Sequence, residues 1–329
     1  MLEIRPFTGT EQECIDRVAL ANAIWPDYPE TVEELKHWIS HPGKDEFVRR
    51  FNLMFEGTPI GYASYKRAPV QGRKDVYYID INILTDYRQR GFATQFYLFA
   101  LDELAQLDPP PARLYAETRE DQIGALAWIE KLGYVNMMRY PISHLMIQEF
   151  DPTAFSGLNA KMAAEEIEIK SLDELRQADP EADYKMWDLT ENHIEPDVPT
   201  PDHYEPRPFE EVSARIYQHP KFRPDLNFVA LHHGEYVAMS NLWGKVGEER
   251  LFVGLTGTKR DYRRKGIALA LKVATIMRAK ESGHQIIETD NEENNPMFDI
   301  NVKLGFVKKP GWADFKKELI ESASAGSDV

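Results

Sequence analysis

The sequence predicts an α+β protein in which one domain is used twice, and three observations carry that prediction. The chain has 329 residues, too many for one ordinary core and enough for two. The octapeptide Asp86-Tyr87-Arg88-Gln89-Arg90-Gly91-Phe92-Ala93 returns as Asp261-Tyr262-Arg263-Arg264-Lys265-Gly266-Ile267-Ala268. Further landmarks recur in the same order at nearly the same spacing. They are Pro26-Asp27-Tyr28-Pro29 with Pro196-Asp197-Val198-Pro199, Glu117-Thr118 with Glu288-Thr289, and Lys131-Leu132-Gly133-Tyr134 with Lys303-Leu304-Gly305-Phe306. Self-similarity at a fixed spacing marks a duplicated structural unit.

The elements follow in parallel. Each copy opens on a short strand, residues 2–5 and 167–170, and passes into acidic helical segments around 31–39 and 209–217. Two strand pairs come next, 50–55 with 60–65 and 227–232 with 237–242, joined by turns at 56–59 and 233–235 short enough to force antiparallel pairing. Strands 76–84 and 251–258 then run straight into the repeated octapeptide. A helix follows each, with one apolar face of Phe92, Phe96, Phe99 and Ala100 or of Ile267, Leu271, Ala274 and Met277. A strand (112–117; 285–288), a helix and a closing strand, at 143–150 in the first copy, complete each repeat. The first domain therefore spans 1–150 and the second 165–320. Between them, 151–164 contains Pro, Gly, Ser and Asn without a clear period and reads as a linker. The small, polar tail 321–329 is expected to fray.

Composition narrows the function classes. Hydrophobic content of 43% and charged content of 28% describe a globular chain rather than a disordered one. There is neither an eighteen-residue apolar run nor a basic-then-apolar start, so no membrane span or secretory signal is expected. A single cysteine, Cys14, excludes an internal disulfide, and the cytoplasm is the expected compartment. The net charge of −15 argues against nucleic acid, whose binding rests on phosphate neutralisation. Two short basic patches, at 88–90 and 259–265, suit a smaller polyanion. The acidic remainder serves solubility, or attracts a cationic substrate.

Each basic patch lies between a strand and a helix, where backbone N–H groups are unpaired and the helix dipole favours an anion. Gly91 and Gly266 allow close backbone approach, while Ala93 and Ala268 keep the volume small. Arg88, Arg90, Arg263, Arg264 and Lys265 add charge for phosphates. One such turn is easily surface decoration; two in matching contexts point to a ligand.

This pattern, together with Tyr87 and Tyr262 upstream and the Leu-Gly-aromatic endings at 132–134 and 304–306, resembles the acyl-CoA pyrophosphate loop of the GNAT superfamily of N-acetyltransferases. The resemblance covers essentially the whole chain, in two copies. Through Asp290-Asn291, Asn294-Asn295-Pro296-Met297 and Asn301, the second copy is further similar to tandem proteins of the mycothiol synthase type. The resemblance implies a mixed, mostly antiparallel sheet flanked by helices, whose two central parallel strands splay to leave backbone groups for the pantetheine arm. Those groups would come from Ile83 and Leu84 in one copy and from Gly257 and Thr258 in the other. Acetyl-CoA is the implied coenzyme, held by Arg88, Gln89, Arg90, Gly91, Phe92 and Ala93 and by Arg263, Arg264, Lys265, Gly266, Ile267 and Ala268. The family's coenzyme-contacting asparagine falls at Asn294 in the second copy and at Gln122 in the first.

The reaction implied is acyl transfer to a small amine. The tyrosine that many family members use to protonate the leaving thiolate falls at Ile129 and Asn301, and both depart from the pattern. Expelling an unprotonated thiolate costs roughly 2 kcal/mol at neutral pH, a modest share of an enzyme's acceleration. Water or Tyr204 is the expected substitute. Asn294 and Asn301 assign the chemistry mainly to the second copy. Asp80 and Asn82 keep the reverse assignment open, and a non-catalytic acyl-CoA sensor is the alternative in a different class.

The acceptor is expected beside 187–204, stiffened by Pro196, Pro199 and Pro201, with Pro206 and Pro208 just beyond. Glu191, Glu195 and Asp197 would attract an ammonium group, with Asp202 adding charge and Tyr204 an aromatic face. His193 or His203 would take the amine's proton. The spacing of a zinc site is absent from this segment, and no metal is expected there.

Overall fold

The computed structural model describes residues 1–44, 46–70, 73–199, 204–245, 247–291, 295 and 297–319. The chain divides into two compact units, Met1–Met138 with Ala313–Val329, and Arg139–Trp312.

In the first unit, β1 (Leu2–Pro6) leads into α1 (Glu11–Ile24) and α2 (Val32–Ser40). Both helices start with a capping box, Thr10 with Glu13 and Thr31 with Glu34, which satisfies orphan N–H groups at each N-terminus. Strands β2 (Val48–Phe55), β3 (Thr58–Arg67) and β4 (Val76–Ile83) follow, then α3 (Phe92–Leu104), β5 (Arg113–Arg119) and α4 (Ile123–Lys131). The hairpin between β2 and β3 turns on Glu56 and Gly57, both at positive φ (51° and 82°), the conformation that a two-residue turn requires. Phe51, Leu53, Ile60, Tyr77, Phe96, Leu104 and Leu114 pack the core between this sheet and α3.

In the second unit come β6 (Val135–Met146), α5 (Leu158–Ala164), β7 (Ile167–Ser171), α6 (Leu172–Ala178), α7 (Ala182–Trp187) and α8 (Phe209–Val212). Strands β8 (Phe222–His232), β9 (Glu235–Trp243) and β10 (Arg250–Thr258) precede α9 (Ile267–Glu281), β11 (Ile286–Asp290), α10 (Met297–Lys303) and β12 (Val307–Glu318), whose residues from Ala313 onward count with the first unit. Its hairpin turns on His233 and Gly234, again at positive φ.

The closing strands differ from the sequence reading. Residues 142–146 of β6 pair with β11 of the second unit, Ile142 opposite Asp290 through Met146 opposite Ile286. Strand β12 lies beside β5 of the first unit, where the Leu319 amide reaches the Ala112 carbonyl (2.8 Å) and Arg113 meets Glu318 (2.7 Å). Each repeat thus lends its last strand to the other. The N-terminal stretch of the first unit runs to Met138, with Ala313–Val329 completing that unit, in place of the single stretch to 150 in the sequence reading. Both strands follow the same helix and Leu-Gly-aromatic signature, so nothing local specifies which edge either one fills. The 151–164 stretch is largely helical, with a 3-10 turn at Pro152–Phe155 ahead of α5.

Candidate active site

In each unit the two central strands are parallel only at their start. β4 pairs with β5 at Val76↔Arg113, Tyr77↔Leu114 and Tyr78↔Tyr115, and β10 pairs with β11 at Arg250↔Ile286, Leu251↔Ile287 and Phe252↔Glu288. Beyond those residues β4 and β10 stay paired only on their other side, with β3 and β9. The rest of each strand has one open edge.

Which residues face that edge follows from the two-residue period of an antiparallel ladder. The Leu84 amide donates to the Ile60 carbonyl (2.9 Å) and the Lys259 amide to Val237 (2.8 Å). Alternation then turns the backbone of Ile83 and Thr258 toward the opening, and that of Leu84 and Gly257 toward β3 and β9. Of the two adjacent residues expected to serve in each copy, only one faces the gap. Gly257 has a different function: a Cβ there would come within 2.1 Å of the Ile194 side chain, so glycine lets the segment over β10 pack down.

Both strands end in a 3-10 turn, Thr85–Tyr87 and Arg260–Tyr262, followed by matching backbone reversals. Gln89 and Arg264 adopt φ of 60° and 63°, and Gly91 and Gly266 follow at 80° and 88° as the N-caps of α3 and α9. The first helical bonds run from Gln95 to Gly91 and from Ala270 to Gly266, both 3.0 Å. Ahead of them the amides of Phe92 and Ala93, and of Ile267 and Ala268, are the orphan donors of a helix start. A left-handed turn with such amides is a nest for anions.

The arginines beside each nest have two jobs. Nε of Arg88 donates to the Ile83 carbonyl (2.8 Å), and Nε of Arg263 donates to the Thr258 carbonyl (3.0 Å), stapling the turn to the strand end. Arg88 also reaches Gln122 Oε1 (3.0 Å) at the start of α4, and Arg90 holds the Asp86 carbonyl (2.9 Å). In the second unit, Lys265 pairs with Glu165 (3.0 Å), and the Lys161 ammonium lies over Gly266, 3.2 Å from where a Cβ would stand. Lys161 belongs to the stretch read as a linker, which Glu165 directly follows; sequence reasoning missed Lys161.

The acceptor-side residues are placed differently from expectation. Glu191 is buried and accepts from the Arg207 amide (2.8 Å), from Arg207 Nη2 (2.6 Å) and from the Tyr204 hydroxyl. Asp197 accepts from Arg260 (3.0 and 2.5 Å) and from Arg263. Neither carboxylate is therefore open to a cationic acceptor. Tyr204 commits its proton to Glu191, and burial, followed by that bond, pushes its hydroxyl above the usual phenol range. His193 is exposed and faces Asp188 (3.5 Å) one turn back. Residues 188–194, expected as irregular loop, continue α7 as a wide helical turn, because the prolines begin only at Pro196.

Glu195 differs from its neighbours. It is half-buried, and among the described residues its carboxylate has no hydrogen-bond or ion-pair partner, only its backbone being bonded, to Thr190 and Val198. Burial raises its carboxyl above the ordinary range; Arg207 opposes the shift and Glu191 adds to it. It directly follows Ile194, the residue seated on Gly257. Asn301 is 1% exposed on α10, donates to Asn291 Oδ1 (2.6 Å), and leaves its own Oδ1 buried without a partner. Ile129 packs in the first core. Asp80 and Asn82 are partnered, by Ser64 and Lys66 and by Trp25 Nε1 (2.8 Å), rather than turned to solvent. Asn294, Asp202 and His203 lie outside the described residues.

The copies also differ in the strand itself. β4 keeps a continuous register against β3, whereas β10 shifts register against β9 between Val253 and Thr256. The Leu255 amide at that bulge is taken by Asn241 Oδ1 (2.6 Å). Gly254 permits it, since a Cβ would meet Trp243 at 2.2 Å. Bulges re-aim backbone groups and recur beside active sites.

In each unit a pair of splayed parallel strands in a mixed sheet ends in an anion nest at a helix start, and this arrangement, present twice, defines a tandem acyltransferase fold. The acetyltransferase (GNAT) family matches residues 16–134 and 187–306, and the chain belongs to that family. A tandem GNAT protein from the clavulanic acid biosynthesis pathway is similar in structure, with a TM-score of 0.72 at 15% identity over 97% of this chain and 98% of its own. A GCN5-related N-acetyltransferase from Sphaerobacter thermophilus gives 0.66 at 16%, covering 96% and 95%. A GNAT-family acetyltransferase from Colwellia psychrerythraea gives 0.57 at 12%, covering 96% and 100%. At these identities the likeness is one of fold. No curated protein matched the sequence. Among the described residues no helix is long and apolar enough to cross a membrane.

Proposed function

We propose that this chain transfers an acyl group, most simply acetyl, from coenzyme A to a small amine, with the chemistry mainly in the second unit. The observation that carries the proposal is the pairing, twice over, of an open strand edge with an anion nest at its end. The nests at 89–93 and 264–268 would take the pyrophosphate, and Ile83 and Thr258 would offer backbone to the pantetheine arm. The bulge in β10 and the unpartnered Glu195 carboxylate favour the second unit.

In that reading the amine nitrogen attacks the thioester carbonyl carbon, the C–S bond breaks, and the thiolate leaves. The proton lost by the amine passes to Glu195, whose raised pKa makes it a stronger base than an ordinary carboxylate. With Asn301 unable to supply a proton, water protonates the thiolate. Among the described carboxylates first assigned to a cationic acceptor, Glu195 is the one left to attract it.

A second reading, a non-catalytic acyl-CoA binder, draws on Ile129 and Asn301 at the tyrosine position. Free-thiol release from acetyl-CoA with a panel of small amines separates the two. Release dependent on one amine class supports transfer; coenzyme binding without release across the panel supports the binder.

A further inference from the structure

We propose that the second unit carries a divalent-metal site of the zinc type, formed by Glu166, His232 and His233. One ligand atom from each of the three lies within 4.8 Å of the others. His232 ends β8, His233 begins the turn to β9, and Glu166 immediately precedes β7, whose Ile167 is the cross-strand partner of His232. The register of β7 on β8 therefore brings the three together, and His233 Nε2 already stands 3.5 Å from Glu166 Oε2.

The internal duplication supplies a control. The equivalent corner of the first unit has Phe55 and Glu56, with Phe55 opposite Leu2 just as His232 is opposite Ile167. There Phe55 makes a plain edge contact with Tyr87, ring centroids 6.3 Å apart. In the second unit His232 takes that place against Tyr262, and its Nδ1 is 3.1 Å from the tyrosine oxygen. One corner of one fold thus appears with a phenylalanine and a glutamate in one copy and with two histidines in the other.

Two imidazoles and one carboxylate suit zinc, nickel or copper better than magnesium or calcium, and three protein ligands leave room for water. His232 Nδ1 is engaged with the Tyr262 oxygen, which leaves Nε2 as the nitrogen for an ion; a ring held at its other nitrogen is the outer-shell arrangement that orients metal-ligating histidines. Tyr262 belongs to the turn before the second anion nest, so a bound ion would brace that turn through His232.

The test titrates the full, untagged chain with zinc chloride by calorimetry and with cobalt chloride by visible absorption. One equivalent is expected, with cobalt bands of a low-coordinate nitrogen–oxygen site. Glu166→Ala and His233→Ala, both at exposed positions, should each weaken zinc by at least about tenfold, and Tyr262→Phe by about tenfold at unchanged stoichiometry. Circular dichroism confirms that each variant is folded. Absence of a stoichiometric site, or zinc binding that survives both ligand substitutions, overturns the proposal.

Discussion

Asp197, on the segment that covers β10, holds Arg260 through both carboxylate oxygens, at 3.0 and 2.5 Å, and accepts from Arg263 as well. The cover is thereby tied to the turn that leads into the second nest. Two guanidiniums on one carboxylate leave the nest a net positive charge. Hydrogen bonds from Arg260, then Arg263, hold the Asp197 carboxyl at about 2. A depressed carboxyl stabilises the fold fully above its ordinary range and loses that contribution only as pH falls through about 2. The tie is therefore constant across any working pH. Asp197→Asn should tighten coenzyme binding severalfold and raise the acceptor KM, measured by calorimetry and steady-state kinetics.

Glu195→Gln should lower the rate by about a hundredfold or more while leaving coenzyme affinity unchanged. In the parent protein the rate should climb with pH through the ionisation of Glu195, which burial places above the ordinary carboxylate range. The variant should lose that limb of the profile. A full rate in Glu195→Gln would remove the residue from the chemistry.

Glu191→Ala removes the buried carboxylate shared by Arg207 and Tyr204; the Arg207 side chain is 38% exposed and keeps part of its hydration, so a loss of about 1–2 kcal/mol is expected. Denaturant unfolding measures it directly. An acceptor role for Glu191 would instead move KM at unchanged stability.

Lys272 is 2% exposed on α9, with its ammonium over the Phe306 ring at 5.9 Å, and burial lowers its pKa to about 8. Below pH 8 the folded state carries the full cost of a buried charge. Between about 8 and the unfolded value the unfolded chain binds more protons, so stability recovers as pH rises. Lys272→Met keeps the aliphatic stem and should add on the order of 3 kcal/mol at pH 7. That gain should shrink on going to pH 10. A loss of stability at pH 7 would show that the ammonium is favourably held.

The elements that form the two nests were legible because their signals are local. The two octapeptides encode a strand end, a left-handed turn and a helix start within eight residues, and Glu56-Gly57 and His233-Gly234 encode their hairpins in two. What stayed hidden was set by distance along the chain. Arg260 and Arg263 find Asp197 more than sixty residues away, Arg207 finds Glu191 from beyond a proline-rich stretch, and Lys161 reaches Gly266 from a segment without clear periodicity. The exchange of β6 and β12 was hidden for the opposite reason: the two strands are so alike in context that either could close either sheet. Leu84 and Gly257 failed as open-edge residues because a strand's period gives each edge only every second residue.

The central claim, that both nests hold coenzyme A, is tested most directly by titrating acetyl-CoA into the parent chain, Gly91→Asp and Gly266→Asp by calorimetry. An aspartate at either position sets a carboxylate against the pyrophosphate and forces a side chain into φ near 80–90°. Each substitution should remove one of two binding events. Gly266→Asp should also abolish thiol release with an accepted amine, while Gly91→Asp spares most of it. Unchanged binding in both variants would contradict the account.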